Sequence, residues 1–461
     1  MTSSGTASPD PKHASLYPPS PEHLMRGLQD HLAKSQWWPA VEWQGLQDRQ
    51  LARLLDHTFA TVPFYGERLS AAGYKKGQAL DAETWSRLPL LTRRDLQTAG
   101  AALLSRAIPP DHGEITEVRT SGSTGIPVAI KVTTQSAVWF RAITLREQVW
   151  HGRDFAGIFA AIRKYRQGIA MPPDGDRQPR WADSASVPYV TGPAAVLNIK
   201  TPVAEQADWL QRIDPHYLLT YPSNLAALVD AHQAGGLRLV RLREVITMGE
   251  ILPPETRALV RAAWGVPVRD TYSAKEIGYI ALQCPEQEHL HIQPEVARVE
   301  VLDAAGRSCG VGEVGRVVVT PLHNFAMPLI RYEIGDYAEV GAPCRCGRSL
   351  PVLARVAGRV RNMLIGPSGR RYWPSFGTSR YREIAPVRRH QFVQKAKDRL
   401  EARMVVERAL TAEEEGKLRM HILSRLPEPF TLTFAFVDDI PASEGGKLEN
   451  FICEVGGIGK P

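Results

Sequence analysis

The sequence predicts an α/β fold: a large N-terminal domain with parallel sheets flanked by helices and a small β-barrel-like part, then a small mobile α+β C-terminal domain. Residues 150–280 alternate short apolar runs with helical ones, a rhythm typical of βαβ units. Residues 295–340 contain β-rich runs separated by glycine turns, which indicates the barrel-like part. Residues 358–461 combine a helix pattern with an alternating strand, which indicates the α+β domain.

Local patterns place the individual elements. Residues 22–60 show helical spacing of apolar positions. Thr92 with Asp95, and Thr411 with Glu414, have the pattern of helix N-caps. The other predicted elements are strands at 217–221, 239–247, 298–302, 316–320 and 430–436, and a helix at 224–233.

We expect three segments along the chain. Residues 1–21 are rich in Ser, Pro and Thr and lack an apolar core, which predicts a disordered tail and no signal peptide. Residues 22–357 form the large domain, and residues 358–461 form the small one. A glycine and two arginines within 358–362 mark a hinge between them.

Composition excludes several classes of protein. The chain has 461 residues, 43% of them hydrophobic and 23% charged, as in a globular enzyme. No apolar run approaches the roughly 18 residues that span a membrane, so we expect a cytoplasmic protein without membrane partners. The net charge of +7 comes without a nucleic-acid motif, so no nucleic-acid partner is expected. Five cysteines, an odd number, argue against a disulfide framework.

A run of small residues stands out at 120–125, with the sequence Thr-Ser-Gly-Ser-Thr-Gly. Its glycines let backbone N–H groups converge and its hydroxyls add donors, which favours binding of a polyanion such as a nucleotide phosphate. It is not a Walker A loop, because no Lys-Ser or Lys-Thr follows. A mobile Ser/Gly linker is the alternative, although the strand-like runs at 114–119 and 128–132 argue against it.

Together with four later segments, this loop resembles the phosphate loop of the adenylate-forming enzymes, which are the acyl-CoA ligases, luciferases and adenylation domains. The phenylacetate-CoA ligase branch matches best. The resemblance runs from about Pro63 to the C-terminus and includes residues 88–96, similar to the branch's "LPxLTKxDL" segment. It implies that ATP phosphates bind at the loop, through Ser121, Gly122, Ser123, Thr124 and Gly125.

Residues 270–276 resemble the family's "YGxTE" segment. The resemblance implies that Tyr272 stacks on adenine and that Glu276 binds Mg²⁺, a cation that prefers oxygen ligands. Ser273 and Lys275 depart from the motif. Lys275 is a candidate catalytic cation beside the α-phosphate, or a sign of a changed substrate or nucleophile.

Three further motifs complete the resemblance. Residues 329–336 resemble "YRTGD", which implies that Asp336 accepts hydrogen bonds from both ribose hydroxyls; we expect an apolar strand followed by a Gly-Asp turn. Residues 358–362 resemble the hinge motif "GRxDD", with Arg359 on the nucleotide and Arg361 departing from the pattern. Residues 440–447 resemble "PxTxxGK", which implies that Lys447 is the catalytic lysine.

A second set of residues indicates a metal. Cys344 and Cys346 form a Cys-x-Cys knuckle, and Cys284 and His291 lie upstream, with His289 as an alternative ligand. Thiolates and imidazole suit a closed, structural zinc site. Buried or idle thiols are the alternative. The phenylacetate-CoA ligase branch shows a similar "C…LH…CxCGR" pattern, and the resemblance chooses Cys284, His291, Cys344 and Cys346.

The resemblance implies an AMP-forming acid–CoA ligase that uses ATP, Mg²⁺ and a small carboxylic acid, an aryl or arylacetic acid in most of this branch. Gly249-Glu250 matches the "GE" before a family adenine contact. Candidate walls of the acid pocket are Trp139, Phe140, Tyr221 and Tyr272. A ligase with a non-CoA acceptor (amine, hydroxyl or carrier-protein thiol) and a non-catalytic nucleotide-binding protein are the alternatives. A homodimer is one assembly to test.

Overall fold

The computed structural model describes residues 20–78, 80–119, 128–359, 363–374, 376, 378–440 and 450–455. Several predicted features lie outside these ranges. They are the tail up to residue 19, the phosphate loop with Ser121 to Gly125, the hinge position Arg361, and Lys447.

Twelve helices occur in the described residues. The N-terminal ones are α1 (Pro21–Ser35), α2 (Ala40–Thr61), α3 (Pro63–Ala71), α4 (Ala82–Arg87) and α5 (Arg93–Thr98). The sheet is flanked by α6 (Thr134–Trp150), α7 (Asp183–Ser186), α8 (Val203–Ile213), α9 (Pro222–Gln233) and α10 (Pro254–Trp264). The C-terminal part contains α11 (Tyr381–Ile384) and α12 (Ala412–Leu423). Short 3-10 turns cover Gly100–Leu103, Pro110–His112 and Thr378–Arg380.

The centre of the fold is a twelve-stranded sheet. Along the chain its strands are β3 (Phe159–Arg163), β4 (Asp176–Gln178), β5 (Ala194–Asn198), β6 (Tyr217–Thr220), β7 (Glu244–Met248), β8 (Val268–Ala274), β9 (Gly278–Gln283), β10 (Leu290–Ile292), β11 (Ala297–Leu302), β12 (Val314–Pro321), β13 (Tyr332–Val340) and β14 (Val352–Arg359). Their spatial order is β11-β12-β13-β14-β10-β9-β8-β7-β6-β3-β5-β4. Strands β5, β3, β6, β7 and β8 are parallel, and from β8 through β9 to β11 all pairs are antiparallel.

The parallel, helix-flanked sheet confirms the predicted fold class, but the barrel-like part needs correction. Strands β11 to β14 do not close on themselves within the described residues. They extend the large sheet instead, because β14 pairs with β10 and β10 pairs with β9. The β-rich runs were correctly predicted as strands.

Within the described ranges, three smaller sheets accompany the large one. Strands β1 (Ile115–Arg119) and β2 (Ala129–Thr133) pair antiparallel on either side of the phosphate loop. Strands β15 (Leu364–Ile365) and β16 (Arg371–Tyr372) form a short pair. The C-terminal sheet has the order β19-β18-β17-β20, with β17 (Val387–Ala396), β18 (Arg399–Val406), β19 (Thr431–Phe436) and β20 (Phe451–Cys453).

The C-terminal sheet has a hydrophobic core of its own. Phe392 and Leu400 from its strands pack with Leu418 and Ile422 from α12, apart from the clusters that support the large sheet. We propose on this basis that the C-terminal part is a separate domain, as the sequence predicts. An ion pair between Arg382 and Asp230 joins it to α9.

Most local predictions are confirmed. Thr92 and Asp95 form a capping box at α5, and Thr411 and Glu414 form one at α12. The helical region 22–60 is broken before α2, where Pro39 precedes the first turn. The strand predicted at 239–247 begins only at Glu244, because the residues before it turn around Asp214, whose carboxylate accepts two of their backbone N–H groups.

No helix in the described part of the chain is both long and apolar enough to cross a membrane.

Candidate functional site

Four neighbouring parallel strands, β3, β6, β7 and β8, end at one edge of the large sheet. In open α/β sheets ligands bind in the crevice outside the carboxyl ends of the strands. At this edge the chain places Arg163, Tyr221, Glu250 and Glu276, each at or just after the end of a strand. The sheet therefore brings the predicted site residues of three separate segments to one place.

Tyr272 lies near the end of β8, next to an irregularity in the β8–β9 register. Its ring is buried, and its hydroxyl donates a hydrogen bond of 2.9 Å to Oδ2 of Asp336. Burial and then the negative charge of Asp336 raise the pKa of Tyr272 well above its usual range. The phenol is therefore a neutral donor to the carboxylate.

Asp336 accepts a second hydrogen bond from the neighbouring strand. Asp336 on β13 lies directly opposite Arg359 on β14, and Nε of Arg359 is 3.1 Å from Oδ1 of Asp336. Burial alone would lower the pKa of Arg359, but the negative charges of Asp336 and Glu276 raise it. The carboxylate is thus fixed at both oxygens, and each oxygen keeps capacity to accept a further hydrogen bond.

The segment before Asp336 differs from the prediction. Leu329 and Ile330 lie in a buried loop ahead of β13 instead of in a strand, and Gly335 and Asp336 lie inside β13 instead of in a turn. Gly335 has a φ of 87°, which a residue with a Cβ rarely adopts, so the strand is locally distorted beside the carboxylate.

The 88–96 segment packs directly against this part of the site. The backbone of Leu91 bridges to both sides of Tyr332, since its N–H donates to Arg331 and its carbonyl accepts from Glu333, each at 2.9 Å. Burial and the charge of Glu276 raise the pKa of Tyr332, whereas Arg93 lowers it. Arg93 is thus close to the site, a residue that the motif comparison did not single out.

Lys275 and Glu276 lie in the turn between β8 and β9, since the last register pair joins Ala274 to Gly278. Burial lowers the pKa of Lys275, and the positive charges of Lys164 and Arg163 lower it further, while Glu276 opposes them. The turn therefore places one carboxylate and one ammonium group at the sheet edge, within reach of further cations from β3.

Gly249 and Glu250 follow β7 at the same edge. Gly249 has a φ of 75°, which favours glycine at this position. Oε2 of Glu250 accepts a hydrogen bond of 3.0 Å from the backbone N–H of Ser223, at the first turn of α9. Their assignment to the nucleotide-binding site remains a prediction.

The predicted aromatic residues of the acid pocket other than Tyr272, which is described above, have different surroundings. Trp139 is half-buried and stacks on His323, with ring centroids 4.3 Å apart, as a packing residue would. Phe140 is 46% exposed and stacks on Tyr279 at 4.9 Å. The Tyr221 hydroxyl accepts a hydrogen bond of 3.2 Å from the backbone N–H of Lys164. Tyr279 was missed, although it follows the 270–276 motif directly along β9.

The predicted metal ligands meet near the far end of β9, where Cys284 follows the last strand residue, Gln283. Ligand atoms of Cys284, His289, His291 and Cys344 all lie within 4.8 Å of one another. Sγ of Cys346 lies 3.4 Å from Nε2 of His291. The structure therefore brings together the four chosen residues and also the alternative ligand His289.

The chemistry of this Cys/His cluster suits a cation. Nδ1 of His291 faces the carbonyl oxygen of Leu350 at 3.4 Å, which leaves Nε2 for the thiols. Nε2 of His289 is buried and lacks a hydrogen-bond partner among the described residues. Burial raises the pKa of Cys344 to about 12 and lowers the pKa of His291 to about 4, so without a cation burial favours the neutral forms.

Arg348, which follows the Cys-x-Cys knuckle, contacts the segment between α1 and α2. The Arg348 guanidinium lies over the rings of Trp37 and Trp150, 4.8 Å from each ring centre. Nε of Arg348 donates to Oε1 of Gln36 at 2.8 Å. The Cys/His cluster therefore adjoins a set of contacts that includes the segment between α1 and α2.

Comparison with known proteins places this geometry in context. No protein-family model matches the chain. The chain is 26% identical over 335 residues to a phenylacetate-coenzyme A ligase of Thermus thermophilus, covering 71% of this chain and 72% of that protein. It is 22% identical over 339 residues to the Escherichia coli protein of the same name, covering 70% and 72%.

Solved structures share the fold. A 2-hydroxyisobutyryl-CoA ligase in the postadenylation state superposes with a TM-score of 0.73 at 19% identity, covering 92% of this chain and 93% of that one. An open conformation of the same ligase gives a TM-score of 0.58 at 20% identity, with coverage of 91% and 95%. An anthranilate CoA ligase gives 0.53 at 18% identity, with coverage of 73% and 66%.

Proposed function

We propose that this chain, which belongs to the adenylate-forming superfamily and its phenylacetate-CoA ligase-like branch, is an AMP-forming acid–CoA ligase. The observation that carries the proposal is the cluster of Tyr272, Asp336 and Arg359 beside Glu276, at the carboxyl edge of the parallel sheet. Two relatives of similar length are named phenylacetate-coenzyme A ligases. We extend ATP use, acid activation and transfer to CoA to this chain.

The proposed nucleotide contacts follow from the donors and acceptors present. Asp336 already accepts from Tyr272 and Arg359 and has acceptor capacity left for a vicinal ribose diol. We assign stacking on adenine to the Tyr272 ring. Glu276 supplies the oxygen ligand that Mg²⁺ prefers. When bound, Mg²⁺ would neutralise charge on the phosphates.

The proposed reaction has two steps. A carboxylate oxygen of the acid attacks the α-phosphorus of ATP, the bond to the β-phosphate oxygen breaks, and pyrophosphate leaves. The thiolate of CoA then attacks the acyl carbonyl and AMP leaves with the electron pair. Lys275, and Lys447 outside the described residues, would stabilise charge that develops on the α-phosphate in the first step.

Pyrophosphate release from ATP and Mg²⁺ tests this proposal. We would measure it across aryl, arylacetic and aliphatic acids, with and without CoA, for the wild type and Lys447→Ala. Lys397→Ala is a matched control, because Lys397 is an exposed lysine in the turn between β17 and β18. Acid-dependent release with an acyl-CoA product, lost in Lys447→Ala alone, is the expected result.

Other outcomes point to the alternatives. Pyrophosphate release without an acyl-CoA product would indicate that the acceptor is an amine, a hydroxyl or a carrier-protein thiol. Nucleotide binding without release from any acid would favour a non-catalytic protein and refute the ligase.

We also propose a structural zinc ion at the Cys/His cluster, held by Cys284, His291, Cys344 and Cys346. Four such ligands leave no open position for water, so the ion would stabilise the fold and take no part in the reaction. The orphaned Nε2 of His289 makes this residue the competing fourth ligand.

Metal content of the purified protein tests the zinc proposal. We expect about one zinc ion per chain, since four Cys and His ligands complete a tetrahedral site. Cys344→Ser should lose the ion, whereas Cys453→Ser should keep it, because Cys453 lies on β20 in the C-terminal sheet. A comparison of His289→Gln with His291→Gln identifies the histidine ligand. Metal-free wild-type protein that folds normally would refute the site.

A further inference from the structure

The edge of the sheet carries more positive charge than the family motifs explain. Arg163 and Lys164 stand at the end of β3, and Lys275 stands just past the end of β8. The strands β6 and β7 lie between β8 and β3, so all three cations border the same crevice. Lys275 is one of the positions where the chain departs from the "YGxTE" pattern.

The electrostatic effects of Arg163 locate it within this crevice. Burial raises the pKa of Tyr221 and raises that of Tyr279 to about 12, and in both cases the positive charge of Arg163 partly opposes the rise. The same charge contributes to the lowered pKa of Lys275, after burial and Lys164. Arg163 stands next to Lys164, whose backbone N–H donates to the Tyr221 hydroxyl at 3.2 Å, and its charge also acts on Lys275 after β8 and Tyr279 on β9.

Two of these cations lack an anionic partner in the described part of the chain. Among the described residues the Arg163 guanidinium has a hydrogen bond and a ring contact with Tyr165, whose hydroxyl accepts from Nε at 2.8 Å and whose ring centre is 5.2 Å from the guanidinium carbon. No carboxylate lies within ion-pair distance of Arg163 or Lys275 among the described residues. The terminal guanidinium nitrogens of Arg163 are thus available to a ligand.

An aromatic surface borders the same charges. Phe140 and Tyr279 stack with ring planes 26° apart, and Phe140 is half-exposed. Gly278, the residue before Tyr279 on β9, lies against this surface, since a Cβ there would be 3.6 Å from Cδ2 of Phe140, and the missing side chain leaves that ring uncovered. A flat ring on this surface would point its substituents toward the cations at the strand ends.

We propose that the acid substrate of the ligase proposed above is an aryl acid with a second anionic group, which Arg163 binds with help from Lys275. The first carboxylate would face the nucleotide at Glu276 and react. The second group, a carboxylate in the simplest case, would form charge-assisted hydrogen bonds with the Arg163 guanidinium, whose planar donors match a carboxylate. This inference rests on the proposed function and narrows its substrate class.

Paired acids test the inference. We would compare phenylacetate with 4-carboxyphenylacetate, and benzoate with benzene-1,3-dicarboxylate, by kcat/KM for pyrophosphate release. The wild type should prefer the diacid of at least one pair by about tenfold or more, the size expected of a charge-assisted hydrogen bond. Arg163→Gln should lower that preference about tenfold, and Lys275→Gln should lower it as well. Arg177→Gln is the matched control, an exposed arginine on the edge strand β4.

Two results would overturn the inference while the ligase proposal stands. One is a wild type that uses the monoacid of both pairs at least as well as the diacid. The other is an Arg163→Gln variant that loses activity equally with both acids and gains a higher KM for ATP, since Arg163 would then bind nucleotide phosphates.

A binding measurement separates this inference from a failure of the ligase proposal. If no acid supports pyrophosphate release, binding of 4-carboxyphenylacetate to the full chain in the presence of AMP can still be measured by calorimetric titration. Binding to the wild type that Arg163→Gln weakens about tenfold would support the anion site without the ligase activity. Binding of the diacid no tighter than that of phenylacetate would refute it.

Discussion

The hydroxyl of Tyr272 offers a sharp test of the ribose site. The change Tyr272→Phe keeps the ring that we assign to adenine and removes one donor, the O–H that binds Oδ2 of Asp336 at 2.9 Å. Arg359 still holds the other oxygen. We therefore expect weaker ATP binding in the variant, because the carboxylate loses one of the two contacts that orient it toward the diol.

The size of the effect follows from the surroundings of Asp336. A hydrogen bond to a charged group contributes roughly 1.5–3 kcal/mol. The Asp336 side chain is 13% exposed, so water partly replaces the lost donor. We take about 1–2 kcal/mol as the cost, which corresponds to a rise of roughly 5- to 30-fold in the KM for ATP.

A nucleotide that lacks the ribose diol tests whether the Tyr272 hydroxyl acts on the diol through Asp336. We would measure KM in pyrophosphate release for the wild type and Tyr272→Phe, each with ATP and with 2′,3′-dideoxy-ATP. If the hydroxyl acts through Asp336 on the diol, most of the penalty should disappear with the dideoxy nucleotide. Tyr381→Phe is the control, because this buried hydroxyl donates to the carbonyl of Phe376 in the C-terminal core, away from the nucleotide site. An equal penalty with both nucleotides would refute the coupling.

Three further changes test stability. Glu295→Ala leaves the Arg146 charge buried without its ion-pair partner at 2.9 Å, so unfolding in denaturant should show a loss of about 3–5 kcal/mol. Gly358→Ala should lower stability by about 1–3 kcal/mol in the same assay, because φ is 119° and the new Cβ would lie 2.6 Å from Ile251. Burial lowers the pKa of His151 to about 3, so its stabilising effect is present above about pH 6.5 and is lost as pH falls toward 3; His151→Phe should flatten this decline in a pH series of unfolding measurements.

Contrary outcomes for these changes are distinct. A loss below about 1 kcal/mol in Glu295→Ala would mean that water reaches Arg146. Wild-type stability in Gly358→Ala would mean that the backbone there relaxes freely. An unchanged acid decline in His151→Phe would mean that other groups control it.

The sequence predicted the elements best where the signal is local. The capping boxes at Thr92 and Thr411 each need only four consecutive residues, and the βαβ rhythm repeats within a short stretch. The barrel-like part was wrong because antiparallel runs look alike in sequence whether a sheet closes or extends. The pairing of β10 with β14, through Leu290 with Leu353 and His291 with Val352, shows that the sheet extends, and these partners are far apart in the sequence.

The site residues were found by resemblance, but their contacts with one another required the structure. The sequence pattern places Asp336 and Arg359 in different motifs. Their pairing depends on the register between β13 and β14, which contains irregularities that no local pattern encodes. The glycine at 335 was expected to mark a turn, whereas its left-handed backbone distorts a strand. A glycine indicates the backbone conformation of one residue and does not show whether that residue lies in a strand or in a turn.

The positive edge of the sheet was missed for a related reason, and it also supplies the strongest argument about substrate. Lys275 departs from its motif in the turn after β8, and Arg163 belongs to no motif at the end of β3. Unrelated surface charges would have no reason to meet, yet the parallel order β8-β7-β6-β3 brings both to one crevice. Like charges that border one crevice repel each other, and a bound anion would offset that repulsion. A second anionic group on the acid would offset the charge of Arg163, which no family motif explains, and Lys275 could assist it from the other side of the crevice.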